Sequence, residues 1–471
     1  MDDKKQTTDY EFDFENKQPQ NEGAASHGGA GQAIPPQKPK NRSKRMGWWA
    51  CLIAVSIVAS YFVGFFSYRA TLDEEMRSLA KAKEAIQSLY YDEVTDEEFY
   101  RVLFDAVNNE ILDDYSQYMT ADEFTEFTAE GEGEWSGLGL YFSTVGENGE
   151  AQMLITQISG NSPAEDAGLT EGSYLVGFGE DENSLQYTAV FDEFAAFIDE
   201  KEKDEEFWIV VEKEGVRDTL CIAKTSFVEN YVYYRTNAGA YRFTGDTATE
   251  LTAWENPLSA LDGDTAYIKL ALFNGNAATQ FKKAMAKFKA DGKKHLVLDL
   301  RANGGGYMHI LQEIASYLCK NATDKKPVIA TAKDKNGNVE RFVANGNYFN
   351  EYFSADSKIK LLADSGTASA SECLIGCMID YGTIDYTDIC LSERGGIAKT
   401  YGKGIMQTTY PFGFLGKVDA IKLTTAKIFW PVSERCIHGV GVLPSDGCFT
   451  TTETYEKDAE ILSALSLLGV I

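Results

Sequence analysis

The chain has 471 residues, enough for two or three domains, and its 44% apolar share, with 27 Phe and 25 Tyr, is ample for sizeable cores. A net charge of −28 argues against nucleic acid as the main partner. Residues 1–46 are nearly balanced, at about +1, so the acidity belongs to the remainder, where it serves solubility. Eight scattered cysteines form no C-x-x-C pair, so no metal site and no cofactor is expected. Cys51 lies in an apolar segment; the other seven should be mostly buried thiols, with Cys436–Cys448 as the one candidate bridge.

Residues 1–46, rich in Gly, Gln and Pro, read as a disordered cytoplasmic tail. Trp48 to Phe66 is a run of nineteen residues without a charge, long enough to cross a bilayer. Lys38, Lys40, Arg42, Lys44 and Arg45 precede it, and only Arg69 follows closely. The positive-inside bias predicts a single-pass anchor over 47–67 in the cell membrane, its N-terminus cytoplasmic and everything after it extracytoplasmic. A cleaved signal peptide fits less well, because the leader is long and no A-x-A site follows.

Helical spacing of apolar residues predicts an N-terminal helical segment over 70–130. Residues 131–225 change to short β-type runs (Leu138–Phe142, Met153–Ile155, Trp208–Val211) between glycine turns, with brief helices near Pro163–Ala167 and Phe191–Ile198. Residues 226–260 read as an irregular connector. From 265 strands and helices alternate: Ala266–Leu270, Ala277–Ala290, His295–Leu300, Tyr307–Cys319 and Val328–Ala332, with a hairpin at Asn336-Gly337. The fold class is α+β, with a mixed α/β core over 226–471.

Chemistry concentrates late in the chain. The apolar run Ile359–Ala363 leads into Ser365-Gly-Thr-Ala-Ser369-Ala-Ser-Glu372, and Leu374, Cys377, Met378 and Tyr381 then share one helical face. Ser369 therefore stands where a strand turns into a helix, with the helix N-terminus to help hold an oxyanion. None of His27, His295, His309 and His438 sits in a Ser-His-Asp context. Lys403, between two glycines and followed by Gln407, is the natural base. It needs burial to lose its proton near neutral pH, because a lysine in water titrates at about 10.4. The fingerprints for dinucleotides and for the P-loop are both absent.

Thr367-Ala-Ser-Ala-Ser-Glu372 with Gly402-Lys-Gly-x-x-Gln407 resembles the signature of the C-terminal processing, or tail-specific, peptidases. Leu112-Asp-Asp-Tyr-Ser-Gln-Tyr118, Ser162-Pro-Ala-Glu-Asp-Ala-Gly-Leu169, Tyr267–Leu270 and Asp299-Leu-Arg-Ala-Asn-Gly-Gly-Gly306 are similar to further segments of that family in its order. The resemblance implies a PDZ domain at 131–225 inserted ahead of a Ser-Lys peptidase core. It implies Ser369 as nucleophile, Lys403 as base, Gln407 as its orienting partner, and the N–H groups of Gly305 and Ala370 as the oxyanion hole. It also implies that Gly137, Leu138, Gly139 and Leu140 form the loop receiving a peptide carboxylate. Ser371 and Glu372 read as cap and helix-dipole complement, and Asp380 as a loop holder. Two departures stand out. Gly304 replaces the family's usual proline, and the gap from Ser369 to Lys403 is 34 residues, about nine longer than usual, the excess falling around Thr387–Ala398.

The expected function is a membrane-anchored serine endopeptidase that cuts exported or membrane proteins near a free C-terminus, with homo-oligomerisation compatible with it. The alternative is a catalytically inactive PDZ scaffold that binds C-terminal peptides.

Overall fold

The computed structural model describes residues 73–471 except 147–148, 245–249, 255–256, 321–324, 394–395, 415–416 and 453–457, and five positions between 56 and 63. The tail expected over 1–46 lies outside the described residues, as does most of the anchor expected over 47–67. Among the described residues no helix is long and apolar enough to cross a membrane. The chain divides into two compact units, Met1–Asp96 and Glu97–Ile471. In the first, the helix Glu74–Leu89 is capped by Asp73, whose carboxylate accepts the Met76 N–H at 2.8 Å.

The second unit is organised around an eight-stranded sheet. Its order is Glu250–Trp254, Ala240–Thr244, Val232–Arg235, Thr265–Leu270, His295–Asp299, Ile359–Ala363, Ile389–Ser392 and Phe449–Thr451. The last five strands are parallel neighbours. Their side chains alternate between two apolar layers, as strand geometry requires. Ala266, Ile268, Leu296, Leu298 and Leu361 face the helices Ala277–Ala290, Met308–Leu318 and Ala370–Asp380. Tyr267, Val297, Leu362 and Cys390 face the C-terminal helix Ala459–Leu467. A sheet covered on both faces shows unbroken apolar runs, which is why these strands stand out in the sequence.

The expected connector over 226–260 in fact carries four strands: Thr225–Val228, Val232–Arg235, Ala240–Thr244 and Glu250–Trp254. Val232–Arg235 is buried at every residue and pairs with Thr265–Leu270, so neither alternation nor a turn signal marks it. The excess residues near 387–398 are likewise more than a surface loop, since Ile389–Ser392 is a fully buried strand of the main sheet. No disulfide forms among the described residues: Cys436 and Cys448 are both free thiols.

A smaller five-stranded sheet carries the long hairpin Ile405–Phe414/Lys417–Phe429, flanked by Gln117–Met119 and Val328–Asp334. A third, six-stranded sheet spans Leu140–Ala223 and has its own core of Met153, Ile155, Leu175, Phe178, Phe194, Phe207 and Ile209. It joins the main sheet through Asn230 N–H to the Gly160 carbonyl (3.1 Å), Asn161 Nδ2 to the Val228 carbonyl (3.1 Å) and an Arg242–Glu165 ion pair at 2.5 Å.

At this junction Glu229 is 1% exposed, and no cation pairs with its carboxylate among the described residues. Burial pushes its pKa up to about 7. The folded state therefore binds more protons than the unfolded state between about pH 4.5 and 7, and stability falls as pH rises through that window. Glu229→Gln should raise the melting temperature at pH 8, where the relief is on the order of 3 kcal/mol, and change it little at pH 5. Thermal scans at both pH values check this, and an equal shift at both would contradict it.

Candidate active site

The site lies beyond the C-terminal ends of two adjacent parallel strands, where open α/β sheets present their ligand-binding loops. His295–Asp299 continues into the turn 301–306, and Ile359–Ala363 into the turn 364–369. Side chains lock the two turns together. Asp364 accepts the N–H groups of Ala302 (2.8 Å) and Gly366 (2.9 Å). Thr367 Oγ1 donates to the Leu300 carbonyl at 2.8 Å, and the Asn303 carbonyl accepts Ala368 N–H (2.9 Å) and Ser371 Oγ (3.0 Å). Asn303 Nδ2 in turn donates to the Leu270 carbonyl at 2.8 Å.

This frame holds Ser369 at φ 57°, ψ −114°, a conformation that strains a residue with a Cβ by about 1–3 kcal/mol. Ser369 immediately precedes the helix Ala370–Asp380. Gly305, at φ +101°, presses against the serine turn so closely that an added Cβ would lie 2.7 Å from Ser369 Cβ and 2.9 Å from Ala370 N. No side chain fits there.

The serine turn and the lysine loop meet at Glu372, which is completely buried. One carboxylate oxygen accepts Thr400 Oγ1 (2.5 Å) and Gly402 N–H (2.8 Å), and the other accepts Ser369 N–H (3.0 Å) and Lys403 N–H (2.9 Å). Burial holds its pKa above the usual range, and these four donors pull it back. Tyr401 N–H adds a direct bond to the Thr367 carbonyl at 2.9 Å. The glycines beside Lys403 let its loop press against residues 438–441: an added Cβ would lie 2.9 Å from Val440 N at Gly402 and 2.6 Å from His438 N at Gly404. The reading of Glu372 as a helix-dipole complement thus missed its larger role. The available signal was the small, donor-rich stretch Thr400–Gly404.

Lys403 is half-buried, and burial, followed by the nearby Lys422 charge, lowers its pKa. Its Nζ lies 5.1 Å from the centre of the Tyr115 ring. No hydrogen bond joins Nζ to Ser369 or to Gln407 among the described residues. Gln407 Nε2 instead points to Thr424 Oγ1 at 3.4 Å, so the expected Lys403–Gln407 contact is not made.

The expected oxyanion pair is only half available. Gly305 N–H donates to Asn303 Oδ1 at 3.0 Å, whereas no acceptor among the described residues takes the Ala370 N–H. Asp380 holds a loop, accepting Val432 N–H (2.8 Å) and Ser433 N–H (2.9 Å). In the loop Gly137–Leu140 the carbonyls of Leu138 and Gly139 accept Ala164 N–H (3.0 Å) and Ser159 N–H (2.9 Å). The Leu138 side chain is buried in the core of the six-stranded unit, so this residue can offer a ligand only backbone.

The sequence profile of peptidase family S41 matches residues 264–446, which include both turns and the lysine loop. These residues form a serine peptidase domain of the S41 type. A protein of Staphylococcus saprophyticus named "Probable CtpA-like serine protease" is 25% identical over 399 residues, covering 83% of this chain and 70% of that protein. A protein of the same name from Staphylococcus epidermidis is 26% identical over 382 residues, covering 80% and 67%. The chain thus spans about two thirds of the length of these relatives. Among solved structures, the photosystem II D1 C-terminal processing protease aligns at 21% identity and a TM-score of 0.46, covering 81% of this chain and 94% of that one.

Because Glu372 fixes two backbones at once, Glu372→Gln replaces one acceptor oxygen with a donor facing donors. The resulting misplacement should lower kcat/KM by on the order of a hundredfold with the far-ultraviolet circular dichroism retained. A peptidase assay of the purified variant checks this, and a wild-type rate would contradict it.

Proposed function

We propose that the chain is a Ser-Lys endopeptidase anchored in the cell membrane, acting outside the cytoplasm on polypeptides that it selects by their free C-termini. The observation that carries this reading is the Glu372 carboxylate, which accepts an N–H from the nucleophile's residue and one from the base's residue. In this reading Ser369 Oγ attacks the scissile carbonyl as neutral Lys403 Nζ takes its proton. The ammonium then protonates the leaving amine, and water, deprotonated by the same amine, cleaves the acyl ester. The Ala370 N–H stabilises the oxyanion, and Gly305 joins it once its N–H leaves Asn303. Gln407 reaches the base once its amide leaves Thr424.

The six-stranded unit is read as the PDZ domain. Support comes from the strand Leu140–Val145, which forms an edge of its sheet and can accept an added strand. The loop Gly137–Leu140 leads into that edge, and Phe142 packs on Phe191 and Phe194 of the adjoining helix (ring centres 5.8 and 6.0 Å apart). Trp48–Phe66 supplies the anchor.

Ser369→Ala should abolish hydrolysis of a peptide with an apolar C-terminus. Lys403→Arg should be as inactive as Lys403→Ala, since a guanidinium cannot accept the proton. Wild-type activity should climb toward alkaline pH as Lys403 loses its proton. Full-length protein in detergent, assayed by mass spectrometry of the products, tests both variants; a substantial rate in either would overturn the dyad. If the wild type binds the peptide without cutting it, the scaffold alternative stands instead.

Amidating the substrate's C-terminus removes the charge that the loop would receive, so cleavage should slow by about tenfold or more, the scale of one charge-assisted hydrogen bond. Equal rates for free and amidated peptides would remove tail selection while leaving the peptidase.

A further inference from the structure

Within the Ser-Lys reading, on which this inference rests, the approach of Lys403 to the Tyr115 ring calls for a role. We infer that Tyr115 is a positioning residue for the base: its ring face receives the protonated Lys403 amine, and the amine leaves that face to take the proton of Ser369. The Nζ–ring distance of 5.1 Å lies within cation–π range. Among the described residues no hydrogen-bond acceptor competes for Nζ.

The ring is itself held from both sides. Tyr115 N–H donates to Asp113 Oδ1 at 3.1 Å, and Tyr115 OH donates to Tyr401 OH at 3.1 Å, two residues before the lysine. Thr424 ties the segment to the hairpin: its N–H donates to Ser116 Oγ at 2.8 Å and its Oγ1 to Asp113 Oδ1 at 3.2 Å. The same Thr424 Oγ1 receives Gln407 Nε2. The strap 113–116, distant from the serine in sequence, is therefore fastened to the strand Lys417–Phe429, whose Thr424 also receives Gln407, and spread over the lysine.

The charged and titratable groups facing Lys403 come from four places. Lys422 on the hairpin opposes the ammonium, while Asp113 on the strap and Glu372 on the serine helix favour it through space. Tyr401 belongs to the lysine's own loop. The bond to Tyr401 pushes the Tyr115 phenol up to about 12, so the ring stays neutral through the working range. A ring quadrupole attracts the ammonium but not the neutral amine, so Tyr115 holds the base in its resting, protonated form. Losing the ring then lowers the pH at which the amine becomes free.

The test is the pH profile of kcat/KM, which reports the free enzyme's groups. Tyr115→Phe keeps the ring face and loses only the hydroxyl. Tyr115→Leu keeps apolar bulk and loses the ring. The acid limb should move down by about half a unit to one unit in Tyr115→Leu and stay within a few tenths of a unit of wild type in Tyr115→Phe. A Tyr115→Leu profile that superimposes on wild type, or moves up, overturns the inference. If Tyr115→Leu does not fold, a ring-trifluorinated phenylalanine at position 115 weakens the attraction with nearly unchanged shape, and the same downward shift is required. Lys403→Ala serves as the control: wild-type activity there overturns the dyad itself, whereas an inactive Lys403→Ala with an unmoved Tyr115→Leu profile overturns only the role of Tyr115.

Discussion

The site depends on one buried carboxylate. Glu372 has no cation within bonding distance among the described residues, and its charge is balanced by four donors that all come from the two segments it joins. A buried ion so arranged is costly unless every lone pair is used, which makes the geometry unforgiving. That constraint fixes the strained serine at the helix N-terminus and presses the lysine loop against it. The frame of Asp364, Thr367 and Asn303 then locks the serine turn to the glycine turn of the next strand. The strain at Ser369 persists because the surroundings over-determine it.

The described arrangement is assembled without being fully engaged. Lys403 rests over an aromatic ring, Gln407 turns to Thr424, and the Gly305 N–H is taken by Asn303. Each departure is a side-chain contact of modest strength, of the order of a kilocalorie per mole or two. The backbones of Ser369 and Lys403, by contrast, are fixed. A substrate that supplies a carbonyl oxygen could redirect all three contacts without remaking the frame.

Much of this was legible in the sequence. Ala277–Ala290 was readable because its apolar residues follow helical spacing against a covered sheet, and the structure gives the same bounds. Ser369 and Lys403 stand out in the sequence through small flanking residues, and the structure brings their backbones to one carboxylate. The strands Val232–Arg235 and Ile389–Ser392 were hidden because they are short, buried throughout and defined by partners far along the chain. Glu372 was read locally, at the start of its helix, whereas its role lies in backbone N–H groups 30 and 31 residues later. Tyr115 belongs to a recognisable segment, but its place over the lysine is a contact between positions 288 residues apart, which no local pattern carries.

The central claim is that Ser369, set at the strained turn, is the activated nucleophile. Labelling the full-length protein with a fluorophosphonate and mapping the adduct by peptide mass spectrometry tests it most directly. The account predicts a single adduct on Ser369 that forms faster as pH rises and is absent from Lys403→Ala. An adduct on Thr367 or Ser371, or equal labelling of Lys403→Ala, would contradict it.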